Sequence, residues 1–284
     1  MTGAVMLHPR PCRGAWNTAT VALSLALSLA LHLAGAVRCF FGVVVAAALL
    51  DGTQAATAPV HGTKSCPGFE HQITIEGGTE ADHAAACEGF TRAVGFFARF
   101  GYQTQLPVTI VFVDSVVLPV KGAAGPETFV GGTRVVGMFE AATQRVTMTS
   151  LTAPWLRKRP YFNLPYDREL LVSVLAHESA HALSKAFYSY PTSPGMHAQE
   201  EYIAYAAQLA TMAPGKLQQV LAGYAAARWT FSSKAGINDL VHAAVPHGFG
   251  VMSYRHFMGP QGGRAFLERI YSGEFKPIDL SDLL

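Results

Sequence analysis

Leu170-Leu-Val-Ser-Val-Leu-Ala-His177-Glu178-Ser179-Ala180-His181-Ala-Leu183 is the stretch whose reading decides the fold. It is apolar almost all round, which is the pattern of a helix buried in a core. Asp167 is placed to cap its N-terminus, Glu169 suits the first turn, and Pro191 marks a stop, so a helix is expected from about Asp167 to Phe187. His-Glu-x-x-His stands in its middle. Residues four apart share a helical face, so His177 and His181 can offer two imidazole nitrogens to one metal ion. Glu178 lies one residue on and can reach a water beside that metal, which is the arrangement that binds zinc and activates water for hydrolysis. Ionisable groups inside a core need partners, and zinc supplies one.

A catalytic zinc site takes three protein ligands as a rule, so a third is expected downstream. After a loop with Pro191, Pro194 and Gly195 comes a second helical segment, His197 to Met212. A helix, a turn and an antiparallel helix would return this segment to the histidines. Glu201 is the first choice, because it shares a face with Tyr205 and Leu209 and points inward if those are core. Glu200 and His197 compete for the same role.

His177-Glu178-x-x-His181 followed by Glu201 on a separate helix resembles the gluzincin zinc metallopeptidases, the thermolysin-like group. Glu201-Tyr-Ile-Ala-Tyr205 also resembles the third-ligand helix of small secreted gluzincin-like proteins. The resemblance covers about Pro165–Met212 closely and the rest loosely. It implies an exported zinc peptidase with His177, His181 and Glu201 as ligands, Glu178 as general base, and a peptide or protein as substrate. It also implies an oxyanion donor from the C-terminal half. His247, just after Pro246, is the first candidate there, with Tyr254 and His256 behind it. No Gly-x-x-His follows His181, so the metzincin pattern is absent. Enzymes of the thermolysin-like group often carry an acidic residue four after the glutamate ligand, supporting a histidine. Here that place is Tyr205, whose phenol can still donate or accept a hydrogen bond.

The order of segments fits the same resemblance. Gln72–Glu76 reads as a strand, Glu80–Phe100 as an amphipathic helix, and Pro107–Val113 as a β-branched strand. Arg134–Phe139 and Arg145–Ser150 read as a hairpin around Ala-Ala-Thr-Gln. Lys216–Arg228, Phe249–Met258 and Arg264–Tyr271 read as helices. The expected fold class is α+β and zincin-like: a small mixed or antiparallel sheet with an active-site helix over 59–190, then a helical part over 191–284. By resemblance, Arg134–Phe139 or its partner is the edge strand that lines the cleft and pairs with extended peptide.

Half of the 284 residues are hydrophobic, enough for one sizeable core. Residues 59–284 carry 18 basic and 18 acidic side chains, so no basic patch argues for nucleic acid. Residues 1–58 read as a leader. Thr20–Val37 is an apolar run, and Arg38 then precedes a second one, Cys39–Leu50, followed by small residues up to Ala58, the layout of a signal peptide. The two runs together suit either an N-terminal membrane anchor or a coding start at Val37. Either route exports the chain to the periplasm or beyond, with membrane contact only through an uncleaved leader. Cys66 and Cys87 are the cysteines left after the leader, and one disulfide between them is expected. Two functional readings follow, a zinc peptidase or an exported zinc-binding domain without turnover. A non-peptide amide hydrolase is a weaker third.

Overall fold

Thr79 closes a capping box at the start of helix α1, Glu80–Ala98, with the Asp82 side chain returning to the Thr79 backbone N–H. This helix and a sheet frame one half of the chain. The computed structural model describes residues 62–118, 133–189, 197–225, 231 and 236–275. The expected leader lies outside them. Among the described residues no helix is long and apolar enough to cross a membrane.

The fold is mixed α+β. The strands are β1 (Thr63–Lys64), β2 (Ile73–Glu76), β3 (Val108–Val113), β4 (Val116–Leu118), β5 (Thr133–Val135), β6 (Gly137–Glu140) and β7 (Arg145–Thr149). The larger sheet has five strands in the order β1-β2-β3-β7-β6. Its inner strands β2, β3 and β7 are parallel, and the flanking strands β1 and β6 are antiparallel to their neighbours. Ile75, Ile110 and Val146 lie in register across the parallel strands and are fully buried. A near-continuous apolar run such as Val108–Val113 is what a strand covered on both faces requires.

The expected hairpin strand Arg134–Phe139 is two strands in different sheets. β5 pairs with β4, which the sequence pattern did not announce, while β6 pairs with β7. The break falls at Val136, whose carbonyl accepts the Thr149 N–H at 2.8 Å. The Thr149 hydroxyl donates to the Val135 carbonyl at 3.2 Å and accepts the Val116 N–H at 3.4 Å. One side chain thus takes over backbone groups that a regular ladder would have paired.

Helix α2, Arg168–Ser184, begins with the Asp167 carboxylate accepting the Leu170 N–H at 3.0 Å, and a 3-10 turn, Lys185–Phe187, continues it. Every residue from Leu170 to Ser184 is buried. It packs against α1, against β6 and β7, and against α3, His197–Ala210. Among the described residues the remaining helices are α4 (Pro214–Gly223), α5 (Asp239–Ala244), α6 (Pro246–Met258) and α7 (Gly263–Tyr271). Pro at the first positions of α4 and α6 starts each helix where its missing N–H costs nothing. Cys66 and Cys87 form a disulfide that ties the segment after β1 to α1.

Candidate metal centre

Two helix faces meet at the site. His177 and His181 lie one turn apart on α2, and their Nε2 atoms are 3.2 Å from each other. Glu201 comes from α3, with Oε2 3.3 Å from His177 Nε2 and Oε1 3.5 Å from His181 Nε2. Ligand atoms of all three residues fall within 4.8 Å of one another, so this mostly buried group could hold a metal ion. Burial alone would push the Glu201 carboxyl up, but the imidazoles facing it outweigh burial and hold it well below the usual carboxylate range. Burial would likewise lower His181, and Glu201 reverses that.

Glu178 lies beside this cluster and outside the ligand group. Burial raises its pKa, and His177 and His181 offset that only in part. The Phe139 backbone N–H, on the sheet-edge strand β6, donates to its carboxylate. The fit is close. A Cβ on Gly137 would come within 3.0 Å of Glu178 Cγ and Oε1 and within 2.6 Å of Met148 Sδ. Glycine at the head of β6 is thus what lets the strand lie against the acid. The Phe139 ring is stacked parallel to His181 with centroids 6.4 Å apart.

The rivals for the third ligand position go elsewhere or are not described. Glu200 is paired with Lys185. The side chain of His197 lies outside the described residues. Tyr205 lies against His177, with ring centroids 4.5 Å apart and planes inclined by 72°.

His247 does not touch the triad among the described contacts. Its ring sits 4.6 Å from Tyr161 and 4.9 Å from Phe162, and it lines a cavity of about 310 Å³ with Tyr224, Val251 and Met252. Burial, helped by Arg159, pushes its pKa down to about 4. The rings of Phe162 and Tyr205 intervene between His247 and His177 in successive contacts. His256 is bonded through Nδ1 to the Tyr202 hydroxyl at 2.7 Å, and Tyr254 packs against the core.

His242 is the residue that sequence reasoning missed. Its Nε2 lies 3.5 Å from Glu201 Oε2. It comes from α5, capped by Asn238, whose side chain accepts the Val241 N–H at 2.9 Å. Asp239 fixes the placement by accepting the Ala198 N–H at 2.7 Å, docking α5 on the first turn of α3. The available signal was Asn238-Asp239, a capping pair, but a helix of six residues is too short to show a periodic face. No curated protein and no solved structure matches the chain. Residues 73–278 match a family described as being of unknown function, DUF6639, and the chain belongs to that family.

Proposed function

We propose that this chain is an exported, zinc-dependent peptidase of zincin-like fold, with His177, His181 and Glu201 holding the metal and Glu178 serving as general base. The single observation that carries the reading is the spacing of the three donors. Bonds of about 2.0–2.1 Å to a tetrahedral ion put ligand atoms roughly 3.3 Å apart. The two Nε2 atoms are 3.2 Å apart, and each faces its own Glu201 oxygen, Oε2 at 3.3 Å from His177 and Oε1 at 3.5 Å from His181, so nitrogens and carboxylate close round one point with spacings near that value. Two histidines and a carboxylate are also the donor set of a hydrolytic zinc site that keeps a position open.

When bound, zinc would supply Lewis acidity, polarising a carbonyl and bringing the pKa of water toward neutrality. The chain's own residues supply the rest. Glu178 takes the proton of the attacking water and returns it to the leaving amine, and its raised pKa suits that exchange. His242 stands on the Glu201 side of the cluster and is better placed than His247 to donate to a developing oxyanion. The edge strand β6 offers backbone groups other than the Phe139 N–H for pairing with an extended peptide. The Cys66–Cys87 disulfide supports an oxidising compartment, hence a periplasmic or secreted protein.

The second reading is a zinc-binding domain without turnover. Glu178 argues against it, because a purely structural site has no use for a buried glutamate outside the ligand group. Cleavage of a broad peptide library by wild type and Glu178→Gln at equal zinc content separates the two. The variant is expected to keep zinc and lose about 10²–10⁴ in rate. Equal rates would remove Glu178 from the chemistry, and no cleavage by either protein with zinc bound would favour the domain without turnover.

A further inference from the structure

A histidine that binds metal through Nε2 carries its proton on Nδ1, and that N–H ordinarily donates to a carboxylate, a carbonyl or a water. In this chain the Nε2 atoms of His177 and His181 converge with Glu201. Nδ1 of His177 is therefore the donor end. It is buried, and among the described residues no group makes a hydrogen bond to it. A buried N–H left without a partner is costly, so its surroundings need an account.

Those surroundings are aromatic. Tyr205 stands one helical turn after Glu201 on α3, and its ring meets the His177 ring at 4.5 Å between centroids with an inclination of 72°. That is an edge-to-face contact, in which the electron-rich face of one ring receives the polarised hydrogens of the other. The Tyr205 ring is also pressed from α6. A Cβ on Gly250 would lie 2.5 Å from its Cδ1 and 2.9 Å from its Cε1. Glycine at 250 leaves the ring just the space it occupies against His177.

We propose that the face of Tyr205 is the acceptor for the His177 Nδ1–H, so that an aromatic ring orients this metal ligand where an oxygen acceptor would be usual. The inference rests on the metal-centre reading above. An N–H directed at a π face fixes the tautomer and the ring plane. It adds no negative charge to the imidazole. His177 is then a less basic ligand than a carboxylate-backed histidine, and the metal it shares keeps more of its Lewis acidity. Tyr205 acts through His177 and is a positioning residue.

The test compares the full chain with Tyr205→Phe and Tyr205→Leu, reading zinc affinity by chelator competition. Phe keeps the face and is expected to match wild type within about two-fold. Leu removes it and should weaken zinc by roughly three- to ten-fold, less than the 10–100-fold typical for loss of an oxygen acceptor. A ¹H–¹⁵N spectrum of the zinc-loaded wild type gives an independent reading that survives even if the Leu variant fails to fold. The His177 Nδ1 proton should be slow to exchange and displaced upfield by the ring. Equal affinity of the Leu variant, an equal loss in Phe and Leu, or a His177 Nδ1 proton without upfield displacement would overturn the inference. A wild type that binds no zinc would overturn the metal centre itself. One bound zinc with an unresponsive Tyr205 would overturn only the role of the ring.

Discussion

Two carboxylates inside this chain are treated in opposite ways. Asp82, fully buried, receives the Thr79 N–H at 2.9 Å, the Thr79 hydroxyl at 2.8 Å, the Ser150 hydroxyl at 2.7 Å and the Leu151 N–H at 3.0 Å. It joins the start of α1 to the end of β7, and its oxygens are fully engaged. Glu201 faces imidazole nitrogens of His177, His181 and His242 at 3.3, 3.5 and 3.5 Å, each longer than a good N–H to oxygen bond. The His177 and His181 nitrogens also face each other, where only one of them could donate. The first cluster closes on itself. The second points its lone pairs at a common centre and leaves its hydrogen bonding incomplete. A polar cluster built for stability satisfies every group, whereas one built to hold something else does not.

The sharpest way to break this contrast is to remove each carboxylate from the metal-free protein. Asp82→Ala strands two backbone N–H groups and removes the returning half of the capping box. It should cost about 3–5 kcal/mol in chemical denaturation. Glu201→Gln should change metal-free stability by less than about 1 kcal/mol, since what it removes is poorly satisfied. Comparable losses would mean that the triad is a structural network like that of Asp82.

A smaller effect is expected from the disulfide on the same helix. Opening Cys66–Cys87, by reduction or by Cys87→Ser, frees a loop with a sequence separation of 21 and should cost on the order of 2–4 kcal/mol. Unchanged denaturation with the bridge open would show that the Asp82 cluster alone holds this end of α1.

Smaller again is the pH response of His247. Its pKa is lowered to about 4 in the fold by burial and by Arg159. The unfolded chain therefore takes up a proton that the native chain refuses. The contribution is fully present above pH ~6.5 and is lost as pH falls toward 4, with about 2 kcal/mol gone by pH 5. Denaturation at pH 7.5 and pH 5 should show a drop in wild type that His247→Gln reduces. An unchanged drop in the variant would show that His247 is not a buried neutral imidazole. It would also reopen a role nearer the triad.

The parts of this molecule legible in the sequence are those decided locally. Asp167 as a cap, the all-round apolar face of α2 and the four-residue spacing of the histidines need no knowledge of the rest of the chain. Glu201 could be preferred over Glu200 because Tyr205 and Leu209 share its face, and both are buried. The Cys66–Cys87 bridge followed from the two cysteines that lie beyond the expected leader. What stayed hidden depends on contacts distant in sequence. β4 is a three-residue strand paired with β5 across a long intervening segment. The split at Val136 is set by Thr149. His242 reaches Glu201 only because Asp239 docks α5 on α3. His247 is turned toward Tyr161 and Phe162, and Phe162 sits at φ 51°, a conformation that a bulky residue rarely adopts and that no pattern would assign to it. Its buried ring, lodged among Tyr205, Tyr224 and His247, holds that turn in place.

Every role proposed for His177, His181, Glu201 and Glu178 depends on whether the triad binds metal. Calorimetric titration of the metal-stripped chain with zinc addresses that most directly, with Glu201→Gln titrated alongside. One zinc per wild-type chain is expected, released by chelator, with binding weakened at least ten-fold in the variant. No zinc uptake by the folded wild type, or equal uptake by both proteins, would contradict it.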